Sequence, residues 1–334
     1  MKLNKLESIR GLCALYVVIH HTNNFDGYLS YIFRFGQEAV IVFFLMSGFV
    51  INYSFENAKD KSFKTYFFKR FIRIYIPLIF VFTLMIAING VGDVKYLLGN
   101  IFMLQDIDRL RPGAIVPPFS GNSPLWSLSY EWWFYMMYYP LSRFSSKQER
   151  NKIALFLFLT GSLFYLILPI YAFRVFLYFG IWWVGVELSS YYIRGELSYK
   201  AVAKSCRVLY IGFIVSLFSM MINFNHITSV GEFPLIDLRY FVISLVVVYL
   251  SFFCYKSERI NLRFLDFIYP LGSISYVLYI AHVPIYNYMS DLGFNWVVFF
   301  CVTLLFSYMV ECILYPPLSR KIKSLVFVTR HPYV

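Results

Sequence analysis

Charge is scarce in this 334-residue chain: Asp, Glu, Lys and Arg make up only 14% of it, against roughly a quarter of a soluble domain. No long polar block separates its apolar runs. They recur about every 25 to 30 residues, the interval expected of membrane spans of roughly 20 residues joined by short loops. Several soluble domains, which the length alone would allow, are excluded in favour of one polytopic membrane domain over residues 1–334 with no appended soluble domain. Cysteine is sparse as well. The five cysteines are scattered through apolar segments with neither a CxxC spacing nor a Cys/His pair, so no disulfide framework and no metal site is expected. A small-residue cleavage site is missing after the basic and apolar N-terminal stretch. That stretch is expected to be a retained first membrane helix.

What the chain does hold is apolar surface and basic charge. It is 59% hydrophobic and 22% aromatic, with a formal net charge of +12. Ten spans are predicted, at about 8–25, 36–55, 73–91, 124–142, 153–170, 174–192, 208–224, 238–255, 271–290 and 295–316, each near the length of a crossing. With the N-terminus cytoplasmic, the inner segments carry 24 of the 30 basic residues, from Lys2 to Arg259 and Arg330. The outer segments hold Arg34, Lys95, Arg109, Arg111, Arg174 and Arg239. The asymmetry follows the positive-inside rule. The predicted fold class is therefore all-α: a polytopic membrane helix bundle of about ten transmembrane helices, with N- and C-termini cytoplasmic. Topology and anionic lipid account for the basic charge, so no nucleic acid partner is needed. The outer segment 92–123 is rich in Pro, Gly and polar residues and reads as an extended surface loop; 225–237 is the other long one. The piece 95–104 is too short to span and either lies at the interface or re-enters.

Ionisable residues inside such spans are costly and point by default to function. Arg10 and His21 lie eleven positions apart, nearly three helical turns, so both project from one face about 16 Å apart along the axis. Arg70 and Arg73, three apart at the start of the third span, share a face. Paired guanidinium groups grip phosphates, and such a pair is equally an ordinary inner-surface anchor. Glu131 sits one to two turns inside the fourth span amid Trp126, Trp132, Trp133, Phe134 and Tyr135. A carboxylate there needs a partner or a proton. His282 falls near the middle of the ninth span, either as a functional group or as an interhelical hydrogen bonder. Glu187 reads as interfacial. The Ser47–Gly48 pair allows close helix approach, within the chain or between two copies, so a homodimer stays open.

Five stretches in order carry a resemblance: Arg10 with ten residues to His21, VIVFFLMSGFVI (40–51), Arg70-Phe-Ile-Arg73 with Pro77 after it, LWSLSYEWWFY (125–135), and LGSISYVLYIAHVPIY (271–286). Together they resemble the acyltransferase 3 family of bacterial integral-membrane O-acyltransferases. The Arg-(ten residues)-His spacing selects His21 over His20. One departure stands at the end of the chain, where the family's usual Glu-x-Pro is replaced by Tyr315-Pro316-Pro317 with Glu311 a turn earlier, and no role is carried over to that end. The resemblance implies transfer of an acyl group, usually acetyl, from cytoplasmic acyl-CoA to a hydroxyl of a cell-surface or lipid-linked carbohydrate. The setting would be the bacterial cytoplasmic (inner) membrane, with acetyl-CoA as donor substrate and no permanently bound cofactor. On that reading His21 and Glu131 are catalytic. His21 acts as general base or transient acyl carrier, and Glu131 orients or balances it. Arg10, Arg70 and Arg73 bind the CoA phosphates, and Trp126, Tyr130 and His282 support the site or the acceptor. The non-enzymatic alternative is a transporter or flippase of a lipid-linked sugar; a polysaccharide polymerase would want larger, more basic outer loops.

Overall fold

The structure is a computed structural model that describes residues 4–22, 28–143, 146–224, 229, 231–257 and 263–327. Lys2, Arg259 and Arg330, and positions 225–228 and 230 of the second outer loop, lie outside the described residues. The helices in chain order are α1 (Asn4–His21), α2 (Tyr28–Ile32), α3 (Gly36–Glu56), α4 (Phe63–Asn89), α5 (Val94–Ile101), α6 (Leu125–Arg143), α7 (Lys147–Ile167), α8 (Tyr171–Ile193), α9 (Tyr199–Ser205), α10 (Arg207–Ile222), α11 (Leu235–Lys256), α12 (Phe264–Ser273), α13 (Ser275–Asp291), α14 (Trp296–Tyr308) and α15 (Tyr315–Val326). A π-helical turn, Met309–Leu314, joins the last two. Starts follow local chemistry. Ser62 caps α4, Asp93 caps α5, Asn295 caps α14, and Ser146 with Glu149 forms a reciprocal capping box on α7. Each supplies an oxygen to an orphan backbone N–H.

Among the described residues, six helices are long and apolar enough to cross a membrane: α3, α4, α7, α8, α11 and the continuous run from α14 through α15. The number rises to eight if each bent pair, α9 with α10 at 41° and α12 with α13 at 62°, is one span. The first and fourth expected spans are the helices α1 and α6. Three charges, Lys5, Glu7 and Arg10, interrupt α1, and Glu131 with a run of Ser, Tyr and Trp side chains lowers the mean hydropathy of α6.

The chain divides into two compact units. The first comprises Met1–Phe33, Ser62–Gly92 and Phe264–Val334. Here α1 packs on α12 and α13 through two facing glycines. A Cβ on Gly11 would stand 2.7 Å from the Gly272 amide nitrogen, and one on Gly272 would stand 2.2 Å from the Glu7 carbonyl oxygen. Arg10 reaches Ser275 and His21 reaches His282. Both helices therefore ascend in the same order and run parallel.

The second unit comprises Arg34–Lys61 and Asp93–Arg263. Its centre is α8, which buries Arg174, Trp182 and Trp183 and packs against α3. Glycines again set the approach: a Cβ on Gly48 would fall 2.0 Å from the Trp182 carbonyl oxygen, and one on Gly185 would fall 2.1 Å from that of Leu45. Small residues at such crossings let backbones touch where lipid supplies no hydrophobic drive.

The segment expected as an extended surface loop is instead folded into this unit. The residues Asn100, Gln105, Asp106, Arg111 and Asn122 are all at most 1% exposed. Asn100 donates to the Pro117 carbonyl at 2.9 Å and accepts from the Phe119 amide at 2.9 Å. Gln105 donates to the Leu125 carbonyl at 2.9 Å, and Ser129 donates to the Gln105 carbonyl at 2.8 Å. Polar side chains that read as solvent-facing are satisfying backbone groups that have no ladder. Piece 95–104 contributes the short α5, whose Gly99 lies under Val116.

Gly48→Val is expected to lower the melting temperature of the detergent-purified protein, because overpacking costs about 1–3 kcal/mol. A differential scanning fluorimetry trace matching wild type would show that the α3–α8 contact does not limit stability.

Candidate active site

In the first unit the last turn of α1 presents His21, an exposed residue. Its Nδ1 lies 3.0 Å from Nε2 of His282 and 3.1 Å from the Val17 carbonyl. His282 is fully buried, and its Nδ1 lies 3.2 Å from the Leu278 carbonyl. One neutral assignment satisfies all three contacts. His282 carries its proton on Nδ1 and donates to Leu278. Its Nε2 then accepts from the Nδ1–H of His21, which is shared with Val17. That tautomer is fixed by hydrogen-bond partners and not by observed protons, and it leaves Nε2 of His21 as a lone pair. His20 turns instead to the Phe33 carbonyl, 2.6 Å from its Nδ1. Trp296 donates to Thr22 at 3.0 Å and anchors the end of α1.

At the other end of α1, Arg10 pairs with Glu7 at 3.1 Å and donates to Ser275 Oγ at 3.4 Å. Arg73 of α4 pairs with Glu311 at 2.6 Å, its guanidinium 5.5 Å from the Tyr276 ring centre and 5.6 Å from that of Tyr315. Arg10 and Arg73 thus converge on adjacent residues at the start of α13. His282 is seven positions beyond Ser275, two turns on along the same face, about 10 Å. Arg70, one turn before Arg73, lies over the Tyr66 ring at 5.3 Å. Glu311, which the sequence left without a role, is buried on the π-helical turn.

Glu131 belongs to the second unit. Its Oε1 accepts from Ser47 Oγ at 2.9 Å and from the Tyr135 hydroxyl, while Trp182 Nε1–H donates to Ser47 at 3.3 Å. The carboxylate is held by neutral donors from α3 and from its own helix, with no cation in the set. Ser47 is a partner of Glu131 that sequence reasoning missed. Its small size was noted, but its hydroxyl was given no partner.

Trp126 and Tyr130, expected to support an acceptor, point inward. Trp126 is 4% exposed, with Arg111 3.7 Å above its ring and Tyr240 stacked on it. Tyr130 is fully buried and donates to Asp106 while accepting from Arg174 Nε at 2.6 Å. In this arrangement neither offers a face for a sugar to stack on. Both belong to a buried charge cluster in which Asp106 pairs with Arg111 at 3.1 Å and with Arg174 at 2.6 Å. Burial raises the Asp106 carboxyl, but Arg111, Arg174 and the Tyr130 hydroxyl outweigh it and hold the group below the ordinary carboxylate range. Opposite charges five positions apart, at 106 and 111, were the available signal for this cluster. Among the described residues, no group of three His, Cys, Asp or Glu is arranged to hold a metal ion.

An acyltransferase domain model, that of the acyltransferase 3 family, matches residues 3–315. The chain belongs to the acyltransferase 3 family. No curated protein and no solved structure matches it. With its long apolar helices, membership makes this a multi-pass membrane acyltransferase.

Asp106→Ala in this acyltransferase removes the shared partner of two buried guanidinium groups, and breaking such a pair costs about 3–5 kcal/mol. A large drop in thermal stability is expected, while Arg109→Ala, at a side chain 86% exposed, leaves the melting curve in place.

Proposed function

We propose that the protein is an O-acyltransferase of the bacterial cytoplasmic membrane. It moves an acyl group, by preference acetyl, from cytoplasmic acyl-CoA to a hydroxyl of a cell-surface or lipid-linked carbohydrate. The observation that carries this reading is the Leu278–His282–His21 chain, which holds the imidazole of His21 in one tautomer with Nε2 available as a base. In the proposed reaction Nε2 takes the proton of the acceptor hydroxyl as its oxygen attacks the thioester carbonyl. The new C–O bond forms, the C–S bond breaks, and the imidazolium returns the proton to the departing CoA thiolate. General base catalysis of this kind contributes roughly 10²–10⁴-fold. His282 is a positioning residue that acts through His21. Arg10 and Arg73 are proposed to meet the CoA phosphates, with Arg70 beside them on α4. Their convergence on the start of α13 supports this, and an arriving phosphate would compete with Glu311 for Arg73. Glu131, polarised by Ser47 and Tyr135, is the second required group. A ten-span topology with both termini cytoplasmic accompanies this reading, supported by the distribution of basic residues.

The test uses purified protein in nanodiscs with labelled acetyl-CoA and a glycan acceptor. His21→Ala is expected to lose transfer and CoA release by roughly 10²–10⁴-fold, and Glu131→Gln to lose most of it. His282→Phe should retain acyl-CoA binding with a smaller loss of turnover. Full transfer by His21→Ala would overturn the mechanism. Label trapped on wild-type protein would replace the base role of His21 by a covalent one.

A further inference from the structure

Glu311 and Tyr315 carry no role in the sequence pattern, yet in the first unit both meet Arg73. The backbone is shaped for this meeting. Buried residues recur at every fourth position from α14 into the π-helical turn: Phe299, Thr303, Ser307 and Glu311. In a regular α-helix each such step overshoots one turn by about 40°, so the line would wind away from its neighbours. The wider π-helical turn takes up the drift and keeps Glu311 facing α4. Turns of this kind are frequent at functional sites.

The pair is complementary in charge but incomplete in geometry. Nη1 of Arg73 lies 2.6 Å from Oε2 of Glu311, and that is the single hydrogen bond between them. Oε1 of Glu311 is buried with no hydrogen-bond partner among the described residues, although a buried polar atom normally has one. Arg73 likewise has no second hydrogen-bond partner among the described residues. Its side chain is 34% exposed, against 2% for that of Glu311. The guanidinium therefore keeps N–H groups open to an incoming acceptor. A phosphate can take two parallel bonds from such a fork, where the carboxylate now takes one. The rings of Tyr276 and Tyr315, 5.5 and 5.6 Å from the guanidinium centre, attract the cation without using its N–H groups. Tyr276 is itself fixed by its hydroxyl, which donates to the Ile74 carbonyl at 3.0 Å. Arg73 can thus change its anion while its place is kept.

We infer, on the reading that Arg73 meets a CoA phosphate, that Glu311 is a reversible competitor for that phosphate. It holds Arg73 between turnovers, yields it to acyl-CoA, and recovers it as CoA leaves. Glu311 acts through Arg73 and touches neither substrate. While a phosphate holds Arg73, Glu311 stays buried without its counter-charge, a costly state. That cost falls on the bound complex, so the carboxylate weakens CoA binding and speeds CoA departure. The effect is about tenfold, the scale of one hydrogen bond between charged groups.

The test measures the dissociation constant and dissociation rate of CoA on the full-length protein in nanodiscs. Glu311→Gln keeps the side-chain volume and removes the charge. It is expected to bind CoA about tenfold more tightly, mostly through slower dissociation. Loss of a merely structural ion pair would weaken binding or leave it unchanged, so either result in a folded Glu311→Gln protein overturns the competitor. Arg73→Ala separates this from the donor-site reading. Unchanged CoA binding by Arg73→Ala would remove Arg73 from the donor site, and the competitor with it. Weaker binding by Arg73→Ala, with no gain in Glu311→Gln, would overturn the competitor alone. The double variant should bind no more tightly than Arg73→Ala; a gain there would make Glu311 a general repulsion of the anion and overturn its action through Arg73. Arg73→Lys retains a positive charge for Glu311 but has no fork, and it carries the test if Glu311→Gln does not fold. Its CoA binding is expected to be about tenfold weaker, and wild-type binding would overturn the exchange.

Discussion

The cost of burying a charge without a partner governs this molecule. In a chain so poor in charge, each ionisable group kept inside is expensive. The structure answers with local pairing: Asp106 between Arg111 and Arg174, Arg73 on Glu311, Arg239 on Glu38, and Glu131 on two hydroxyls. These groups specify which helices and loop segments meet, because an apolar surface alone would tolerate many registers.

Close backbone approach is the second constraint, and it makes the pairing reachable. The crossing of α3 and α8, with Gly48 and Gly185 against opposing carbonyls, brings the Trp182 indole within reach of Ser47 and so orients the hydroxyl that serves Glu131. The contact of Gly11 with Gly272 at the end of α12 brings α1 to the start of α13, and those two helices then run parallel with Arg10 at Ser275 and His21 at His282. A chemical pair at one end and an electrostatic pair at the other follow from one packing contact. The bend between α12 and α13 frees the start of α13 to receive both Arg10 and Arg73.

Much of the site was legible because helices convert spacing into direction. The ten residues between Arg10 and His21 place them on one face of α1 whatever packs against it. Family membership could likewise be read from five short stretches in order. What was not legible were partners distant in sequence. Nothing in the spacing joins His282 to His21, Ser47 to Glu131 or Glu311 to Arg73, since each pair is created by two helices meeting. Trp126 and Tyr130 are a further case: no local pattern shows that Arg111 and Tyr240 lie against the Trp126 ring and that Arg174 takes the Tyr130 hydroxyl.

By itself the sequence determined the helical class, the membrane setting, the family and the residue types of the candidate site, because hydropathy and helical period are local properties. Only the tertiary structure decided that Asn100, Gln105, Arg111 and Asn122 of the polar stretch 92–123 are buried with Asp106, and that the His21 imidazole is fixed by a second imidazole. Each of these depends on which distant groups satisfy one another out of water, and that is set by packing and not by any local pattern.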